Sequence, residues 1–132
     1  MREVNKKTVL IVDDEEVILC SLSKGLADYC SRYSIMTAGD GEMALEILRN
    51  TRVDLVVTDL SMPVMDGVEF IKRLREDHPN LPVIVMSAYI NKEAVEWLSA
   101  FSVSRYIEKP VKYEQMAWTL RESIEGQGRE VT

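Results

Sequence analysis

The sequence predicts an α/β fold, a five-stranded parallel sheet with helices covering both faces. Three observations carry this. Short apolar runs such as Val9-Leu10-Ile11-Val12 and Val83-Ile84-Val85-Met86 read as strands buried on both sides. Between such runs lie stretches whose apolar residues recur at helical spacing. Polar residues stand where the strands stop: Asp13 and Asp14, Asp59, Ser87 and Lys109. With 132 residues the chain is the size of one domain, its core spanning 8–125 and 126–132 forming a polar tail or the start of a linker.

The elements follow in order. Thr8 to Val12 is the first strand, closed by Asp13-Asp14-Glu15. From Glu16 to Tyr29 the pattern turns helical, with Ile18, Leu19, Leu22, Leu26 and Tyr29 on one stripe. Tyr33 to Ala38 is a less apolar strand, suited to a sheet edge. Gly39-Asp40-Gly41 opens the next helix, Asp40 as its cap and Ala44, Leu45, Ile47 and Leu48 inside. Asp54 to Thr58 leads into Asp59 and a loop with Pro63 and Asp66-Gly67. Val68 to Glu76 is helical, with Phe70, Ile71 and Leu74 inward. Its basic residues Lys72, Arg73 and Arg75 read as a solvated face.

Pro79 and Pro82 bracket a turn before the strand that ends at Ser87. Glu93 to Phe101 is a short helix, Tyr106 to Glu108 a brief strand before Lys109-Pro110, and Tyr113 to Ile124 the last helix. Its inner stripe is Tyr113, Met116, Ala117, Leu120 and Ile124. Trp118 falls outside that stripe, whereas Trp97 reads as core. The seven methionines read as gap-filling core.

Composition excludes several function classes. A net charge of −6 argues against a nucleic-acid binder, which usually carries a basic stripe. No apolar run approaches the roughly 20 residues that span a bilayer. The polar start, Met1 to Lys7, has no cleavable signal pattern, so a cytoplasmic location is expected. Cys20 and Cys30 do not have metal-site spacing and are expected to be reduced. His78, beside Pro79, is given no chemical role.

In a parallel sheet the carboxyl ends of the strands share one edge, where ligands bind at the point of strand-order reversal. On the assumption that the order is 2-1-3-4-5, strands one and three flank that point, and they carry the three aspartates. Carboxylates crowded together raise one another's pKa unless a cation joins them. An all-oxygen set suits a hard divalent ion, Mg²⁺ or Mn²⁺. With an ammonium from Lys109 and a hydroxyl from Ser87, such a site suits phosphoryl transfer, which depends on positioning and charge stabilisation. A carboxylate can itself be the nucleophile, forming an aspartyl phosphate.

Four motifs in order, Val12-Asp13-Asp14-Glu15, Thr58-Asp59-Leu60-Ser61-Met62-Pro63-Val64-Met65-Asp66-Gly67, Met86-Ser87-Ala88 and Tyr106-Ile107-Glu108-Lys109-Pro110, resemble those of response-regulator receiver domains of two-component signalling. The resemblance covers roughly Val9 to Ile124 and implies the flavodoxin-like doubly wound (βα)5 fold. It implies that Asp59 accepts a phosphoryl group from a histidine kinase or phosphotransfer protein. It further implies that Asp14, Asp59 and the Ser61 carbonyl ligate Mg²⁺, and that Asp13 holds a metal-bound water. Ser87 and Lys109 would bind phosphoryl oxygens, and Tyr106 would change rotamer as the Ser87 loop moves inward. The Lys109-Pro110 bond is expected to be cis. Such a domain is a switch rather than an enzyme. Its output face, built from the last two helices and the strand between them, would meet a downstream protein, an effector domain or a second copy.

Two residues depart from the pattern. Ser87 replaces the commoner Thr and keeps the hydroxyl. Ser102 stands at the usual glycine position, so the helix before it is expected to end in another way. Other classes fit less well. A phosphatase of the haloacid-dehalogenase type needs an acid two residues after the nucleophile, where Ser61 stands. A flavodoxin-like cofactor carrier needs a hydroxyl-rich phosphate loop where this chain has Asp13-Asp14-Glu15. A receiver-like module that is never phosphorylated would not need the full residue set. Because the pattern begins close to Met1, a stand-alone regulator or the N-terminal part of one is expected rather than the end of a hybrid kinase.

Overall fold

A computed structural model describes residues 6–29, 33–60, 66–103 and 105–125. The elements alternate as β1 (Lys7–Val12), α1 (Glu16–Tyr29), β2 (Tyr33–Ala38), α2 (Gly41–Asn50), β3 (Leu55–Asp59), α3 (Gly67–Asp77), β4 (Val83–Ser87), α4 (Lys92–Ala100), β5 (Arg105–Glu108) and α5 (Tyr113–Glu125). The strands form one parallel sheet in the order β2-β1-β3-β4-β5, the expected arrangement. β3 runs one residue later than the sequence suggests, so Asp59 is itself the last strand residue.

Successive side chains of a strand face opposite ways, and this splits the core in two. Val9 and Ile11 of β1, Val57 of β3 and Ile84 and Met86 of β4 pack with Leu19, Leu22 and Leu26 of α1 and Met116 and Leu120 of α5. Leu10, Val12, Val56 and Val85 face the other way, against Ala44 and Leu48 of α2, Phe70, Ile71 and Leu74 of α3, and Leu98 of α4. Helices thus cover both faces of the sheet.

Helix starts follow the sequence signals. Asp40, Asp66 and Asn91 cap α2, α3 and α4, each accepting a backbone N–H three residues on at 2.8–2.9 Å. Gly67 has an ordinary backbone conformation and is required for space. A Cβ there would lie 2.5 Å from the Asp59 carbonyl oxygen and from Leu60 Cα. The Gly67 N–H donates to the Leu60 carbonyl at 2.8 Å, so α3 starts directly against the end of β3.

Two expectations need correction. The helix before Ser102 does not end in another way. Ser102 adopts the left-handed conformation itself, at φ 63°, and the glycine-type cap forms around it. The Ser102 N–H donates to the Ser99 carbonyl at 3.0 Å, and the Val103 N–H to the Leu98 carbonyl at 2.8 Å. Leu98 and Val103, both buried, close the cap with an apolar contact. Nor is Arg75 part of a solvated face. Its guanidinium donates to the carbonyls of Phe101 (2.7 Å), Leu81 (2.6 Å), His78 (3.0 Å) and Ser102 (3.3 Å). It ties the ends of α3 and α4 to the turn before β4. Arg73 does face solvent, paired with Glu69 one turn back at 3.0 Å.

Of the remaining expectations, Trp118 is exposed, and Trp97 packs edge to face on Phe101 with ring centres 6.3 Å apart. Met86 and Met116 are core, but Met43 is half exposed on α2. Cys20 is exposed with a free thiol. Cys30, the Tyr29 side chain, Met62-Pro63 and the polar tail lie outside the described residues. Among the described residues, no helix is long and apolar enough to cross a membrane.

Candidate functional site

The sheet register brings the strand-end residues together. Asp59 pairs with Met86 across β3 and β4, and Ser87 with Glu108 across β4 and β5. Asp13 continues the ladder from β1, its N–H donating to the Ala38 carbonyl at 3.1 Å. Carboxylate oxygens of Asp13, Asp14 and Asp59 all lie within 4.8 Å of one another. Asp13 and Asp59 are buried, whereas Asp14 is exposed at the mouth.

Lys109 provides the counter-charge. Its Nζ lies 3.0 Å from Asp13 Oδ2, 3.3 Å from Asp59 Oδ2 and 3.5 Å from Glu15 Oε1. Burial alone would lower the ammonium's pKa, but hydrogen bonds and charge from Asp13 and Asp59 outweigh it and leave the pKa raised. The Lys109-Pro110 peptide is cis, as expected, and the Lys109 N–H donates to the Ser87 carbonyl at 2.8 Å. Asp13 is held from both sides, its Oδ1 accepting the Glu15 N–H at 2.9 Å.

The Ser87 hydroxyl sits on the adjoining strand end but is engaged locally. It donates to the Tyr89 carbonyl at 3.2 Å and accepts the Tyr89 N–H at 3.4 Å. Tyr106 on β5 is 41% exposed and is turned outward. Ser61 lies outside the described residues. The structure therefore brings together Asp13, Asp14, Asp59 and Lys109, and places Ser87 beside them. Sequence reasoning missed Glu15 as a third carboxylate on Lys109. A third consecutive acid after β1 was the available signal.

The donor set fits a hard divalent cation: three carboxylates converge, two are buried, and one ammonium cannot neutralise them all. In a doubly wound parallel sheet the reversal point at the carboxyl edge is where ligands bind, and the acidic group and the lysine stand there. Comparison with known proteins gives the family. Residues 9–121 match the model of the response regulator receiver domain, and the chain belongs to that family.

Among curated relatives, the "Probable transcriptional regulatory protein TcrX" of Mycobacterium tuberculosis is 38% identical over 117 residues, covering 86% of this chain and 48% of that protein. The sensor kinase CckA of Brucella abortus is 35% identical over 91% of this chain and only 13% of its own length. The chain thus spans about half, or much less, of the relatives it matches. Whole-chain matches occur among solved structures. The chemotaxis protein CheY4 of Vibrio cholerae has a TM-score of 0.84 at 30% identity, covering 90% of this chain and 99% of its own. A CheY-like receiver domain protein of Methanospirillum hungatei has a TM-score of 0.87 at 25% identity, covering 96% and 100%.

Proposed function

We propose that Asp59 is the phosphoacceptor of this receiver domain. The observation that carries the reading is the Lys109 ammonium between Asp13 and Asp59 at the mouth of a carboxylate cluster, at the carboxyl edge of an open parallel sheet. An Asp59 oxygen bonds to phosphorus as the bond from phosphorus to a histidine nitrogen of the donor breaks. Lys109 then pairs with a phosphoryl oxygen, and the Ser87 hydroxyl leaves its Tyr89 partners to bind another.

Asp13, Asp14 and Asp59 would hold Mg²⁺, with Mn²⁺ as a substitute and the Ser61 carbonyl as a further ligand. The ion offsets the negative charge that the carboxylates and the phosphoryl group bring together. Breaking the Ser87–Tyr89 contacts frees the segment leading into α4. Tyr106 follows, and the α4-β5-α5 face changes for a downstream protein, an effector domain or a second copy. In this reading the chain is a single cytoplasmic receiver domain that assists its own phosphorylation and turns over no other substrate. A histidine kinase or phosphotransfer protein supplies the phosphoryl group.

The test is intact-mass spectrometry after incubation with acetyl phosphate and Mg²⁺. One added phosphoryl group is expected on the wild-type chain, with none on Asp59→Asn and none with a chelator. An unmodified wild-type mass, or a modified Asn variant, rejects the assignment.

A further inference from the structure

Glu15 has no part in the chemistry just described, yet it touches the group that chemistry depends on. Its backbone is fixed at the start of α1, where its carbonyl accepts the Ile18 and Leu19 N–H groups at 3.0 and 3.1 Å. From there the side chain, 60% exposed, reaches Lys109 Nζ from the solvent side at 3.5 Å. It stands outside the group that could share a metal, which among the described residues comprises Asp13, Asp14 and Asp59. A divalent ion held by those three offsets their charge and leaves the Glu15 carboxylate at the mouth.

We propose that Glu15 is a specificity-determining residue for the phosphodonor, an electrostatic gate that slows reaction with highly anionic donors relative to less charged ones. The inference rests on Asp59 being the phosphoacceptor. Two effects act in the same direction. The Glu15 carboxylate repels an arriving dianion, and it competes with the phosphoryl oxygens for the Lys109 ammonium. With acetyl phosphate, the bond from phosphorus to Asp59 forms as the bond to the acetate oxygen breaks. Acetate leaves as an anion, so no proton or electron is transferred. At about 7 Å in a water-accessible site, one unit charge changes the rate about sevenfold for a dianionic donor and about threefold for a monoanionic one, and salt screens the effect. An exposed ion pair acting only locally would leave the rate unchanged.

The experiment compares wild type, Glu15→Gln and Glu15→Lys at saturating Mg²⁺, with acetyl phosphate and with the less charged phosphoramidate, at low and high salt. Phosphorylation is followed by intact mass. With acetyl phosphate at low salt, Gln should raise the second-order rate constant about sevenfold, and Lys should raise it further. Both gains should shrink with phosphoramidate and with added salt. Rates equal to or below wild type, or gains insensitive to donor charge and salt, overturn the gate. An unphosphorylated wild-type chain overturns instead the assignment of Asp59.

Discussion

Lys109 and Arg75 are partly buried cations at opposite edges of the sheet, and their surroundings differ in kind. At the carboxyl edge Lys109 meets three carboxylates, charge against charge. At the amino edge Arg75 meets four backbone carbonyls, and among the described residues no carboxylate joins them. Burial lowers the Arg75 pKa with nothing to offset it, whereas the carboxylates raise that of Lys109. A fork of donors on fixed carbonyls is a brace, with its geometry set by the planar guanidinium. An outnumbered ammonium among acids is a reactive arrangement that a cation or a phosphoryl group can rearrange.

The comparison is tested most strongly by removing the brace. Arg75→Ala leaves partly buried carbonyls without donors and should cost about 2–3 kcal/mol of stability by urea unfolding. Mg²⁺ should not restore it specifically. Lys109→Met should cost less, about 1–2 kcal/mol at neutral pH against the roughly 3–5 kcal/mol of a fully buried broken pair. The site opens to solvent at Asp14, so its carboxylates can take up water or a cation. There, Mg²⁺ should recover most of the loss, as ligand binding to the folded state does. Equal recovery in both variants would erase the distinction between brace and reactive site.

The pH dependence sharpens it. The folded pKa of Lys109 lies above its ordinary value of 10.5, so its stabilisation is fully present below that value. It is lost as pH rises through the folded pKa. The gap between wild type and Lys109→Met should therefore be constant through neutral pH and narrow only on the alkaline side. The smallest effect concerns the cap that Arg75 grips. Ser102→Gly relieves a left-handed serine and should stabilise the chain by about 0.5–1 kcal/mol in the same assay.

The strands and the aspartate edge were legible in the sequence because each is a local signal, an apolar run, a polar stop or a helical stripe, whereas the strand order is not local and was only assumed. Asp13, Asp59 and Lys109 could be placed in one crevice before any coordinates, since parallel strands share an edge. Arg75 could not be read, because its partners are carbonyls, which every residue carries and no pattern marks. The Ser102 cap was misread for a related reason. Propensity disfavours serine in that conformation, but burial of Leu98 against Val103 and the carbonyl grip of Arg75 hold it there. Glu15 was passed over because a charged residue at a helix start is ordinary until its reach across the site is seen.

Gly67 has a consequence for anyone engineering this chain. The lone hydrogen in place of a side chain sets how closely α3 approaches the main chain of Asp59. Every other residue at position 67 carries the Cβ that meets the Asp59 carbonyl oxygen and Leu60, so even Ala should push α3 off the end of β3. That displacement acts on the main chain of Asp59 and so on the placement of its carboxylate against Lys109. The alignment of Asp59 with Lys109 could thus be altered without changing either residue.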